Sequence, residues 1–117
     1  MRNLVIRLFI NSVALWVAAE VVSGIELEGS YLQILLVAFL FGLINAFIKP
    51  VVMLLSLPFL VLTLGLLTLV INALMLMLTA AVASSLTVSG FWAAFWGSLL
   101  ISVVSMVLSS LLYDEGV

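Results

Sequence analysis

The chain has 117 residues, of which 68% are apolar, three are basic and five are acidic, and its mean hydropathy is +1.56. A soluble domain of this length could not bury so much apolar surface, because a small globule leaves a large fraction of its surface in water. We therefore expect an integral membrane protein.

The residue types that are missing exclude several function classes. Without cysteine or histidine, the chain has no ligands for thiolate or imidazole metal sites, no disulfide and no nucleophile–histidine pair. Three basic residues are too few for a nucleic-acid surface. We expect no catalytic residue, no cofactor and no metal, and the lipid bilayer as the first partner.

Four apolar segments, at residues 4–22, 31–48, 59–83 and 91–112, are long enough to cross a hydrocarbon core of roughly 30 Å as helices. The alternation of barrel strands is absent, and four strands could not close a barrel. The expected fold class is an all-α membrane protein with four transmembrane helices in a single domain, residues 1–117.

The first segment has two interpretations. Arg2 and Arg7 before an apolar run resemble a signal peptide, with a passable cleavage site before Glu20. However, residues 8–30 align without a gap with residues 69–91, and a removable leader has no reason to copy a later span. We favour a retained helix. The aligned identities include Asn11 with Asn72, Leu15 with Leu76, Ala19 with Ala80, Ser23 with Ser84 and Gly29 with Gly90.

This alignment predicts two parallel helix–loop–helix repeats, repeat one at about residues 4–48 and repeat two at about residues 65–112. Their loops, GIELEGS (24–30) and SLTVSGF (85–91), alternate apolar and polar residues before Gly29 and Gly90. Two short extended segments side by side at the outer face would satisfy each other's backbone groups. Two ordinary polar loops are the alternative.

The stretch NAFIKPVVMLLSLP interrupts the apolar sequence with Lys49, Pro50 and Pro58. A helix through Pro50 must kink, whereas Pro58 fits the first turn of a new helix. Lys49 can extend its ammonium to the headgroups. We place a cytoplasmic hairpin here, and leave open whether residues 50–57 are a helical extension or an interfacial loop.

Charge sets the expected orientation. Four spans place Arg2, Arg7 and Lys49 on one side of the membrane, and Glu26 and Glu28 on the other. The positive-inside rule then puts both termini and the Lys49 hairpin in the cytoplasm.

Each span has one stripe of small or polar residues at helical spacing. Such stripes are typical of packing seams, where helices approach closely and form interhelical hydrogen bonds, and they could also line a polar pathway. The asparagines are expected to hold the bundle together, because an unpartnered amide in hydrocarbon is costly. The candidate interhelical residues are Asn11, Asn45, Asn72, Ala38, Gly42, Ser98, Ser102 and Ser105.

Several short motifs resemble those of a known family, phage holin family 4, also called the mycobacterial-type four-span holin superfamily IV. They are N-A-x-x-x-P at 45–50, L-x-L-P at 55–58, T-L-G at 63–65 and I-N-A-L at 71–74. The resemblance covers nearly the whole chain. It implies four spans in a bacterial cytoplasmic membrane. Many such proteins have no known function, so the family name does not by itself imply lysis.

Three functions remain. The first is a small non-enzymatic inner-membrane protein that acts through helix–helix assembly, as a homo-oligomer or with another membrane protein. The second is a holin-like or narrow pore, although no span carries a charge near its middle. The third, a proton-coupled exporter, is disfavoured because Glu20 lies near the outer interface and the repeats are parallel.

Overall fold

The computed structural model describes residues 2–112, except for the side chain of Arg2. The two chain ends, expected in the cytoplasm, lie outside the described residues. A π-helical turn, Ile44–Ile48, joins the second and third helices without a break. The elements are α1 (Arg2–Val21), β1 (Ile25–Leu27), α2 (Tyr31–Leu43), α3 (Lys49–Leu55), α4 (Leu57–Leu62), α5 (Leu67–Val82), β2 (Leu86–Val88) and α6 (Phe91–Leu112).

Three apolar helices are long enough to cross a membrane: Asn3–Val21, the continuous helix Tyr31–Leu55 and Phe91–Leu112. We call Tyr31–Leu55 the long helix. The fourth, α5, is apolar but has 16 residues, about 24 Å at 1.5 Å per residue. The third span was expected within residues 59–83, and its helix begins later, at Leu67.

The four long elements, α1, the long helix, α5 and α6, pack around one another in a closed ring. α1 packs between α2 and α6, α6 packs against α5, and α5 contacts α2, the π-turn and α3. We call the end of the bundle with β1 and β2 the strand end, and the end with α4 the hairpin end. The main buried cluster includes Leu15, Ile25 and Leu76, and a smaller one joins Ile44, Leu60, Ile71 and Met75.

The predicted pair of extended segments is confirmed. β1 and β2 pair in antiparallel fashion, with Ile25 opposite Val88, Glu26 opposite Thr87 and Leu27 opposite Leu86. Ile25 and Leu86 are buried, because alternate strand residues point down into the bundle. A Cβ built on Gly97 of α6 would collide with the Ile25 side chain. The strand pair thus closes its end of the bundle, with Ile25 inserted between helices.

The loop alignment needs one correction. α2 begins at Tyr31 and α6 at Phe91, only 60 residues apart, whereas the strands are 61 apart. The first loop therefore has one extra residue beside Gly29, whose φ of +104° is readily adopted only by glycine. Gly90 has no such conformation and has open space around its Cα. The gapless equivalence of Gly29 and Gly90 was wrong.

Pro50 is accommodated by the π-turn that precedes it. Proline has no N–H to donate and its ring clashes with the carbonyl four residues earlier, here that of Ala46. In the π-turn the bonding shifts by one residue, so that the Lys49 amide donates to the Ile44 carbonyl. The helix then continues to Leu55. The open question about residues 50–57 is resolved in favour of a helical extension that ends at the Ser56 turn.

The T-L-G motif ends α4 and starts α5. The amides of Gly65 and Leu64 donate to the carbonyls of Leu60 (2.8 Å) and Val61 (3.2 Å), a Schellman arrangement with Leu64 at the left-handed position, φ 57°. The Thr63 hydroxyl accepts from the Leu67 amide at 3.3 Å. This turn separates α4 from α5 and shortens the third span. Pro58 lies in the first turn of α4, as predicted.

Candidate functional site

A polar cavity of about 170 Å³ lies between the helices in the hairpin half of the bundle. All four long elements contribute to it. Seven of its nine lining residues are polar or charged, which is unusual inside a chain that is 68% apolar. The lining residues are Asn11, Phe41, Asn45, Lys49, Asn72, Ser98, Ile101, Ser102 and Ser105.

The long helix supplies Phe41, Asn45 and Lys49 at steps of four residues. In an α-helix of about 3.6 residues per turn, successive steps of four rotate away from one face. The wider π-turn offsets part of that rotation. It also holds Asn45, whose side-chain Nδ2 donates to the Phe41 carbonyl at 2.9 Å. The turn that admits Pro50 therefore keeps Lys49 on the cavity face.

Asn11 and Asn72 enter the cavity at the same depth. Each lies ten residues before the end of its helix, at Val21 in α1 and Val82 in α5, which is about 15 Å from the strand end. Gly42 leaves room for the first of them, because a Cβ at Gly42 would lie 3.2 Å from Asn11 Nδ2. The two amides therefore face the cavity near mid-membrane depth.

α6 lines the cavity with hydroxyl groups. Ser98 is buried and donates to the Phe95 carbonyl of its own helix at 3.0 Å. Ser102 and Ser105 follow along the same helix, and Ser102 is exposed. The cavity is therefore enclosed around Ser98 and open beside Ser102.

The hydrogen bonds differ from those expected for a packing seam. Among residues 2–112, every side-chain hydrogen bond joins groups three or four residues apart in sequence, and none links two of the helices α1, α2, α5 and α6. Asn11 and Asn72 thus make no interhelical bond there. Because the cavity is open, their amides are not deprived of partners, and the described residues contain no buried, unsatisfied side-chain polar atom.

Charge is separated along the bundle axis. Lys49 is the one charged residue that lines the cavity, and it is half-buried. The three glutamates in the described part of the chain, Glu20, Glu26 and Glu28, are exposed and lie at or near the strand end. No carboxylate therefore faces Lys49 across the cavity among residues 2–112. The structure also offers no group of three or more acidic, cysteine or histidine residues in that range that could hold a metal.

Sequence reasoning found the polar lining but missed the space that it encloses. Ala38 is buried where α2 meets α1, so part of the stripe is indeed a contact between helices. The apolar lining residues Phe41 and Ile101 carried no signal in the sequence. The sequence predicts that Lys49 extends to the headgroups. In the structure the π-turn, which no sequence pattern indicates, keeps Lys49 on the cavity face.

A second depression, of about 420 Å³, lies at the strand end. It is shallow and is lined by residues of α5, β2 and the loop between them, from Met77 to Val88. None of its lining residues is charged. Its polar side chains are the hydroxyls of Ser84 and Thr87.

Comparison with known proteins now places the chain in a family. The profile described as "Mycobacterial 4 TMS phage holin, superfamily IV" matches residues 2–107. The chain belongs to this family. Three of the four holin-family motifs noted in the sequence lie at structural turns: N-A-x-x-x-P spans the end of the π-turn and Pro50, L-x-L-P the Ser56 turn, and T-L-G the Schellman turn.

Two bacterial relatives align over most of the chain. An uncharacterised protein of Streptomyces coelicolor is 43% identical over 97% of this chain and 98% of its own length. The uncharacterised membrane protein YvlD of Bacillus subtilis is 30% identical over 88% of this chain and 87% of its own. No solved structure matches significantly. The chain is thus a membrane protein of the holin family whose relatives are uncharacterised.

Proposed function

We propose that this holin-family protein is a non-enzymatic protein of the bacterial inner membrane that acts by assembling with copies of itself. The supporting observation is the apolar surface of the hairpin end. Around α4 and its flanking turns, only Leu60 is buried against the bundle. The exposed apolar side chains there are Leu54, Leu55, Leu57, Phe59, Val61, Leu62, Leu64 and Leu66.

This surface lies where a membrane protein usually turns polar. α5 covers about 24 Å of a hydrocarbon core that is roughly 30 Å thick, so the hairpin lies close to the boundary between hydrocarbon and headgroups. A contiguous apolar patch at such a boundary is typical of a contact site. Self-association would cover it with the equivalent patch of a second copy, since closed pairs of identical patches are the commonest form of assembly.

The test uses the absence of cysteine in the chain. Leu62→Cys places one thiol on the hairpin patch, and Leu36→Cys places one on an exposed, lipid-facing position of α2 as a matched control. After oxidation in reconstituted vesicles, we expect a disulfide-linked dimer with the first variant and little with the second. Equal cross-linking of both, together with a monomeric mass in mild detergent, would rule out self-assembly through the hairpin.

The bundle is further proposed to consist of two repeats related by a two-fold axis along the membrane normal. Equivalent backbone bonds support this: the Glu28 amide donates to the Ser85 carbonyl, and the Ser89 amide to the Gly24 carbonyl, both at 2.8 Å. A shift of 61 residues takes Gly24 to Ser85 and Glu28 to Ser89, so exchanging the two repeats converts one bond into the other. The strand register agrees, because Glu26 pairs with its own counterpart, Thr87.

The proposed orientation places the hairpin end in the cytoplasm and the strand end outside. Support comes from the separation of charge, since Arg7 and Lys49 lie towards the hairpin end and the described glutamates towards the strand end. Basic residues near short connections are retained on the cytoplasmic side. The reactivity of single thiols from the two sides of sealed vesicles tests this orientation together with the cavity.

Pore formation is the second candidate, and the polar cavity is the observation that favours it. One copy does not provide a continuous path, because Leu15, Ile25 and Leu76 fill the bundle between the cavity and the strand end. A pore would therefore have to form between copies. Induced expression with a membrane-potential dye distinguishes the two: collapse of the potential at modest expression supports a pore, and an intact potential at high expression excludes it.

A further inference from the structure

The ammonium of Lys49 occupies an unusual position for a charge. It is half-buried among neutral side chains, in a cavity that begins near mid-membrane depth. A charge that is partly withdrawn from water is costly unless an opposite charge or several polar groups compensate it. The described glutamates lie towards the other end of the bundle. A bound anion would supply the opposite charge that residues 2–112 do not place beside Lys49.

The other lining groups can donate hydrogen bonds to the same ligand. Ser98 uses its hydroxyl donor, and Asn45 one of its two amide N–H groups, on carbonyls of their own helices. The amides of Asn11 and Asn72 and the hydroxyls of Ser102 and Ser105 make no bond within residues 2–112 and line the same space. With the three N–H groups of the ammonium, they form a set of donors from three helices and the π-turned long helix.

We propose that this cavity binds a phosphate group, with Lys49 as its counter-ion and the Asn11 and Asn72 amides orienting its oxygens. A phosphate carries several acceptor oxygens, which suits donors that converge from different helices. Lysine commonly binds phosphate as a point charge. Charge-assisted hydrogen bonds of this type are about twice as strong as neutral ones.

The size and position of the cavity restrict the ligand. About 170 Å³ is enough for a compact ion or a headgroup fragment, and is smaller than the roughly 300–1,000 Å³ of sites for drug-sized molecules. The cavity reaches the surface at the exposed Ser102. Basic pockets between transmembrane helices are known positions for phosphorylated lipid headgroups. The phosphate can therefore belong to a phospholipid or be free inorganic phosphate.

The experiment follows the thermal unfolding midpoint of the full chain in a phosphate-free maltoside detergent. One arm adds sodium phosphate against sodium chloride of equal ionic strength. The second adds short-chain phosphatidylglycerol against the matching short-chain diacylglycerol. A ligand that binds only the folded protein raises the midpoint in a saturable way. A response to phosphate alone identifies the soluble ion, and a response to the phospholipid alone identifies the headgroup.

Variants assign the response to the cavity. Lys49→Gln should weaken the apparent affinity by about tenfold or more, whereas Lys49→Arg keeps the charge and most of the response. Arg7→Gln is the matched control, because Arg7 lies towards the same end but does not line the cavity. If Lys49→Gln does not fold, the double variant Asn11→Leu, Asn72→Leu replaces it and should weaken the same response.

Three results would overturn the proposal. The first is the absence of a saturable rise in both arms. The second is a response that Lys49→Gln, or the double asparagine variant in its place, leaves at the wild-type value. The third is an equal loss in Lys49→Gln and Arg7→Gln, which would mean that the overall charge of this end of the bundle, and not the cavity, attracts the phosphate.

Discussion

The interior of the bundle differs between its two ends: apolar side chains fill the strand end, and polar side chains line a cavity towards the hairpin end. At the strand end, Leu15 and Leu76 are fully buried and Ile25 inserts between helices. At the hairpin end, the equivalent interior holds Asn11, Asn72 and Lys49 around an open cavity. Both halves are built from the same helices, so the difference comes from a few side chains and not from a change of fold.

This contrast indicates that stability and function are located in different places. Apolar side chains that fit closely hold helices together even in lipid, through van der Waals contact. Polar side chains around a cavity add little to that packing, and they create a space that water or a ligand can enter. We therefore expect substitutions at the strand end to change stability and substitutions at the cavity to change binding.

The largest effect is expected for Leu76→Ala. Its side chain is fully buried beneath the strands, so truncation should lower the free energy of unfolding by about 2–5 kcal/mol. Leu74→Ala is the control on the same helix, where the side chain is 44% exposed and faces outward. Unfolding by SDS titration in mixed micelles measures both. Similar losses in the two variants would mean that the strand end is not closely packed.

Gly97→Ala should cost about 1–3 kcal/mol, because an added Cβ would collide with Ile25 and lie 3.4 Å from Leu76 Cδ2. Gly90→Ala is the control, since the space around Gly90 is open and its φ is not positive. The same SDS titration compares them. If Gly97→Ala is as stable as the wild type, Ile25 does not close the bundle in the way described.

At the hairpin end, Leu64→Gly should stabilise the protein by up to about 1 kcal/mol. Leu64 has a φ of 57° and is 91% exposed, so its side chain gains little contact while its backbone is strained. Leu62→Gly, within α4, should lower stability by about 0.5–1 kcal/mol, because glycine in a helical conformation loses more conformational freedom on folding than leucine does. Changes of the same sign in the two variants would contradict the Schellman turn.

Asn72→Leu should have the smallest effect on stability, within about 0.5 kcal/mol. If Asn72 formed an interhelical hydrogen bond, as the sequence analysis expects of the asparagines, the loss would be about 1 kcal/mol. In the structure Asn72 lines the cavity and makes no such bond within residues 2–112. The SDS midpoint distinguishes these views. A loss of 1 kcal/mol or more would show that Asn72 contributes to helix association after all.

The architecture could be predicted because membrane burial imposes simple patterns. Long apolar runs marked the helices that cross the membrane, and the GIELEGS and SLTVSGF loops marked the strand pair. The interhelical role of Asn11, Asn45 and Ser98 stays a prediction; in the structure these residues line the cavity. Each of these signals is periodic or local, and both kinds can be read from one sequence.

Other features depend on backbone geometry that a pattern does not contain. Nothing in INAFI indicates a π-turn, although Pro50 made some distortion necessary, and that turn keeps Lys49 on the cavity face. The break at Leu64 shortened the third span, and an apolar residue in a left-handed conformation gives no hydropathy signal. A stripe of small polar residues also predicts a seam and a cavity equally well, because the separation of the helices decides between them.

The contrast between a dry strand end and a wet hairpin end is tested most directly by thiol accessibility. In the cysteine-free chain, Thr79→Cys places a thiol at a fully buried position, Ser105→Cys one on the cavity, and Ser84→Cys one on the exposed strand end. The probe is a membrane-impermeant maleimide applied to sealed vesicles of both orientations, with SDS-denatured samples as the reference for total thiol.

The account predicts that Ser105→Cys reacts in inside-out vesicles, that Ser84→Cys reacts in right-side-out vesicles, and that Thr79→Cys reacts from neither side until SDS is added. Reaction of Thr79→Cys at the rate of Ser105→Cys, or protection of Ser105→Cys from both sides, would contradict it.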